Sequence, residues 1–101
     1  MNLKEVRKFL EELNQKNIAF DPHFYKRVGE RPISESMVRK FLSGLTRLEK
    51  IEQGRGERFK LWFKMSRKYS LVLIVEINSS KDLKIMSAWN TRNKWQKKLK
   101  Q

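Results

Sequence analysis

Apolar positions follow a helical period up to about residue 45 and an alternating one after it. Leu3, Val6, Leu10 and Leu13 recur at steps of three and four, with Phe9 on the flank, which predicts an amphipathic helix over 2–15. Asn2 suits its N-cap, and Glu5 stands where a capping box needs an acceptor; Asn14 and Asn17 are stop residues. Asp21 before Pro22 marks a second start, because an Asp side chain caps free N–H groups and proline suits the first helical position. That helix is short, from His23 to Val28, with Gly29 to end it and Pro32 to block continuation. Ser34 caps a third helix with Met37, Val38, Phe41, Leu42 and Leu45 on its apolar side and Gly44 as its stop. The last two helices form a pair over 22–44.

Leu48 and Ile51 fit a short first strand, and Gln53-Gly54-Arg55-Gly56 is turn chemistry. Along the next strand, Phe59, Leu61, Phe63 and Met65 point one way and Arg58, Lys60, Trp62 and Lys64 the other. One face is core and the other is cationic with an aromatic in its middle. Ser66-Arg67-Lys68 turns the chain into the stretch 70–77, where Val72, Leu73, Ile74 and Val75 are apolar at successive positions. A short β-branched run of this kind predicts a central strand, buried on both faces and paired on both edges. After a loop at 78–82, strict alternation in the last strand puts Leu83, Ile85, Ser87 and Trp89 on one side and Lys84, Met86 and Ala88 on the other. The first and last strands are then the sheet edges, either of which could pair in a homodimer. The basic tail 91–101 reads either as a short C-terminal helix docked through Trp95 and Leu99 or as a frayed end. The expectation is one α+β domain over 1–101. Two to three N-terminal helices pack on one face of a four-stranded antiparallel sheet at 46–90, and the other face is basic.

Charge sharpens this picture. The chain carries 24 Lys and Arg against 11 Asp and Glu. Residues 1–57 hold twelve basic and nine acidic side chains, whereas 58–101 hold twelve basic and only two acidic, Glu76 and Asp82. Such a lopsided field points to a polyanionic partner, and RNA fits it. With no Cys, disulfides and thiolate chemistry are excluded, and a single His argues against a protein-only zinc site. No apolar run approaches a membrane span and the N-terminus lacks a signal-peptide core, so no membrane partner is expected and the location expected is cytoplasmic.

No phosphate-binding loop, dinucleotide fingerprint or zincin motif occurs. The scarcity of carboxylates in the sheet half argues against two-metal nuclease chemistry. RNA cleavage without metal or cofactor needs a base for the 2′-hydroxyl, a proton donor for the leaving oxygen and cations for the charged transition state. The candidate catalytic residues are His23, Arg27, Arg31, Arg58 and Lys60; the candidate RNA-binding residues are Lys64, Ser87, Trp89, Thr91 and Arg92. Each has a plainer reading. His23 at a helix start can cap or pack, Arg27 and Arg31 can be a solvated face, and Trp62 and Trp89 can be core or rim.

The run His23-Phe-Tyr-Lys-Arg27-Val-Gly-Glu-Arg31-Pro-Ile-Ser34, the charged strand 58–64, the Leu-Val-Leu-Ile-Val strand and Leu83-Lys-Ile-Met-Ser-Ala-Trp-Asn-Thr91 resemble a family pattern. It is that of the RelE/ParE-like toxin superfamily, closest to the small BrnT-related domains, and the resemblance spans roughly 20–92. It implies a RelE-like fold, metal-independent RNA cleavage on free or ribosome-bound mRNA, and a cognate antitoxin protein. His23, Arg27 and Arg31 match the early motif, and Ser87 and Thr91 the late one. The chain departs from the pattern after Ser87-Ala88, where Trp89 and Asn90 stand and the basic residue is delayed to Arg92. Two other readings of the basic face stay open: a non-catalytic nucleic-acid-binding module, and a surface for an acidic protein partner.

Overall fold

The computed structural model describes residues 1–29, 31–79 and 81–92. The first helix, α1 (Leu3–Glu11), starts on a complete capping box, with Asn2 and Glu5 exchanging side chain-to-backbone bonds of 2.9 Å. It ends before the expected residue 15 because Asn14 caps a separate 3₁₀ turn, Gln15–Asn17. Phe9 joins Val6 and Leu10 in the core, while Leu3 stays exposed and Leu13 packs against the core from beyond the helix end.

A strand unforeseen in the sequence follows, β1 (Ile18–Phe20). At three residues it is too short to show a period. Then come α2 (Pro22–Val28) and α3 (Glu35–Gly44), each capped as the sequence predicts, by Asp21 and Ser34. Gly29 leaves α2 at φ +48°, a region glycine enters without steric cost. Gly44, by contrast, is not the stop of α3 but its last residue; the left-handed cap is Leu45, at φ 51°. Left-handed backbone costs a non-glycine residue about 1–2 kcal/mol. Burial of the Leu45 side chain supplies about as much, which is how a leucine holds this position.

The remaining strands are β2 (Leu48–Gln53), β3 (Arg58–Lys64), β4 (Tyr69–Ile77) and β5 (Leu83–Arg92). The sheet order is β1-β5-β4-β3-β2, with β1 parallel to β5 and all other pairs antiparallel. The described residues are therefore α+β, with three α-helices and a five-stranded mixed sheet in place of the expected four antiparallel strands. β4 is central, as its unbroken apolar run predicts. β1 covers the edge of β5 only over Leu83–Ile85, and β2, the expected first strand, lies at the opposite edge of the sheet. Strand β5 also runs on to Arg92, and the expected tail helix otherwise lies outside the described residues.

The helices cover one face of the sheet. Phe59, Leu61 and Phe63 from β3, Leu71, Leu73 and Val75 from β4, and Leu83, Ile85 and Ala88 from β5 meet Val6, Leu10, Phe24, Val38 and Leu42 there. Arg39 on α3 pins β1 by donating to the carbonyls of Gln15 (2.7 Å) and Ile18 (3.2 Å), while its guanidinium lies over Phe20. The Tyr25 hydroxyl donates to the Glu35 carboxylate and so ties α2 to α3. In the β2–β3 hairpin, a Cβ on Gly54 would lie 2.8 Å from the Arg58 carbonyl oxygen. Gly54→Ala is therefore expected to cost more than about 1 kcal/mol, seen as a lower denaturant midpoint with an unchanged slope.

Candidate functional site

The face of the sheet away from the helices is set by register. Across β3, β4 and β5 it reads as rows: Arg58, Glu76 and Lys84; then Lys60, Ile74 and Ser87; then Trp62, Val72 and Trp89; then Lys64, Ser70 and Thr91. The β3 half of this pattern is the alternation read from the sequence. The β5 half is not, because strict alternation fails there. Val75 pairs with Ile85 while Ile74 pairs with Ser87, so Met86 is an extra residue in a β-bulge. The bulge shifts the phase by one, turning Ser87 and Trp89 to the open face beside Lys84 and sending Ala88 into the core.

At the Arg58 end of this face, α2 overhangs the sheet. The amide of Asp21 donates to the Ile85 carbonyl (2.9 Å), which extends the β1–β5 ladder by one residue and fixes where α2 begins. A cleft of about 430 Å³ opens there, and His23, Arg27, Arg58, Lys84 and Ser87 line it together with Asp21 and Glu76. The structure thus gathers three of the predicted catalytic residues, His23, Arg27 and Arg58, and one predicted binding residue, Ser87.

Asp21 has two tasks. Its Oδ1 accepts from the His23 backbone amide at 2.9 Å, as an N-cap, and lies 2.8 Å from His23 Nδ1. A carboxylate can only accept, so Nδ1 carries the ring proton and Nε2 is the basic nitrogen of the neutral imidazole. Lys84 Nζ approaches the other carboxylate oxygen at 4.0 Å. The His23 backbone bond and then the His23 side-chain bond hold the Asp21 carboxyl below its ordinary value; burial opposes them, and the His23 and Lys84 charges add smaller lowering effects. A carboxyl depressed in the folded state adds stability above its unfolded pKa and loses it as pH falls through the folded one. The Asp21 contribution is accordingly expected to be complete above about pH 4 and to fade below it, and Asp21→Asn should flatten only that acid limb of a stability–pH curve.

The other predicted residues lie elsewhere. Lys60 is one row along, with its ammonium over two indoles, 4.8 Å from the Trp62 ring centroid and 5.5 Å from that of Trp89. Trp62 is nearly buried and donates from Nε1 to Glu52 at 2.6 Å; Lys50 pairs with the same carboxylate at 3.4 Å. Lys64 and Thr91 occupy the far row. Arg31 does not line the cleft but donates to the Ala88 carbonyl at 3.3 Å, anchoring the α2–α3 connection to β5. Arg92 stands opposite Tyr69, with its guanidinium over that ring, and alternation puts both on the helical side of the sheet, away from Thr91.

Sequence reasoning missed Lys84 and Glu76 as cleft residues and read Asp21 as a cap alone. Asp21 was within reach, since an Asp two residues before a His at a helix start can bond both its amide and its ring. Glu76 forms an ion pair with Arg58 at 3.4 Å. Among the described residues, no three His, Asp or Glu side chains converge as metal ligands would, and no helix is long and apolar enough to cross a membrane. Compared with known proteins, the chain matches no family model, no curated protein and no solved structure.

Proposed function

We propose that this chain is a metal-independent endoribonuclease, the toxin of a toxin–antitoxin pair, built on a RelE-like variant of the α+β fold and acting in the cytoplasm. One observation carries the reading: an Asp-oriented histidine opens on the same cleft as Arg27, Arg58 and Lys84. In the reaction, His23 Nε2 takes the proton of a ribose 2′-hydroxyl. The 2′-oxygen attacks the adjacent phosphorus, the bond from phosphorus to the 5′-oxygen breaks, and the products are a 2′,3′-cyclic phosphate and a 5′-hydroxyl. Arg27 and Arg58 balance the charge gathered on the phosphorane, and the Lys84 ammonium supplies the proton for the leaving oxygen. The RelE-like resemblance of the sequence supports the toxin assignment and its antitoxin partner, whose acidic surface would suit the basic face.

A second reading is a non-catalytic nucleic-acid-binding module on the same face. The paired tryptophans beside Lys60 favour it, since they suit binding and need no chemistry. One assay separates the two: purified protein with a labelled RNA pool in EDTA, with and without ribosomes. Fragments ending in 2′,3′-cyclic phosphate are expected of the nuclease. Retention of intact RNA under every condition would leave the binding module.

A further inference from the structure

Three features of the open face stand together one row from the cleft. Trp89 is only partly buried, on a strand whose neighbour Val72 is wholly covered. Trp62, across Val72, is held by its bond to Glu52 and nearly inaccessible, so it forms a wall. Lys60 rests its ammonium against both rings. Among the described residues no carboxylate pairs with Lys60, whereas the neighbouring cations Arg58, Lys84 and Lys50 each have one.

We infer that Trp62, Lys60 and Trp89 form a latched nucleobase platform, on which an unpaired base of single-stranded RNA stacks on Trp89 once a phosphate draws the Lys60 ammonium away. This rests on the polyanion-binding reading of the face but not on catalysis. A cation on an indole face and a base on the same face compete for one surface. An entering phosphate offers Lys60 a full negative charge in place of the ring quadrupole, so one nucleotide supplies both the anion that opens the latch and the base that takes its place. Position agrees with this use. Ser87 lines the cleft and Trp89 lies two residues along β5, a step of about 6.6–6.8 Å. The platform therefore takes the base of a nucleotide next to the one whose phosphate sits in the cleft. Duplex is excluded as the ligand, because a paired base already has both faces stacked.

The test uses wild-type protein and two uncleavable 2′-deoxy oligonucleotides of equal length and charge, one with bases and one built throughout of tetrahydrofuran abasic units, which lack the aldehyde an amine could attack, at one fixed salt concentration. Without a 2′-hydroxyl neither can be cut, so the outcome is independent of the nuclease reading. Stacking of one base predicts about 5- to 150-fold weaker binding of the abasic strand. Trp89→Phe should keep most of that preference and Trp89→Ala should abolish it. Equal affinity of the two strands for the wild-type protein would overturn the platform, as would a base preference undiminished in Trp89→Ala, or failure of both strands to bind. The wild-type comparison decides the matter even where Trp89→Ala does not fold.

Discussion

His23→Ala is expected to slow RNA cleavage by about 10²–10⁴-fold, the usual contribution of a positioned acid or base. Binding of a 2′-deoxy analogue should change little, because the Arg27, Arg58 and Lys84 charges remain in the cleft. The separation of the two effects is informative. A residue that merely packed α2 would lower both together, by loosening the helix that carries Arg27. His23 is well exposed, and its deletion removes no core contact. Asp21→Asn is expected to give a smaller loss in rate. Asn still caps the helix, since it ranks with Asp at the N-cap, and its Oδ1 can still accept from Nδ1, because both His23 bonds go to that one oxygen; what is lost is the negative charge beside the imidazole as it takes on a proton. A wild-type cleavage rate in His23→Ala would show that the reaction centre is not this cleft.

The parts of this molecule that were legible in the sequence are those whose signal is local. Asn2 with Glu5, Asp21 before Pro22, and Ser34 each cap a helix where their side chains allow it. The apolar run of β4 marks the centre of the sheet, and the alternation in β3 separates Phe59, Leu61 and Phe63 from Arg58, Lys60 and Lys64. What was not legible depends on pairings between distant segments. Ile18–Phe20 becomes a strand only because Leu83–Ile85 lies beside it, 65 residues later, and nothing in three residues announces that partner. The bulge at Met86 is likewise a property of the β4–β5 register, so the phase of Ser87, Ala88 and Trp89 could not be read from β5 alone. Both failures fall at the site. β1 sets the position of Asp21 and α2, and the bulge aims Ser87 and Trp89. The cleft was therefore visible as a set of residue types, His23, Arg27 and Arg58, before it was visible as a place.

Binding to single-stranded RNA is expected to weaken by about two orders of magnitude between about 50 mM and 200 mM salt. Five cations, Arg27, Arg58, Lys60, Lys64 and Lys84, lie on the open face or line its cleft. The ion pairs that engage Arg58 and Lys84, to Glu76 at 3.4 Å and to Asp21 at 4.0 Å, are no obstacle, since both cations keep about half of their side chains open to solvent and to an incoming phosphate. Each neutralised phosphate contributes about −0.7 to the slope of log affinity against log salt, so five give about −3.5. The double variant Arg58→Ala/Lys60→Ala should bring the slope to about −2, weakening all RNA sequences alike. Lys8→Ala, on the exposed side of α1, should leave it unchanged. This comparison asks whether the charge that matters is the net +13 of the chain or the ordered cations of one face. A diffuse field would respond to Lys8 as much as to Lys60. A face built by the β3–β4–β5 register responds only where the rows place a cation, and the difference between the two slopes measures how far the fold, beyond the composition, makes this surface a site.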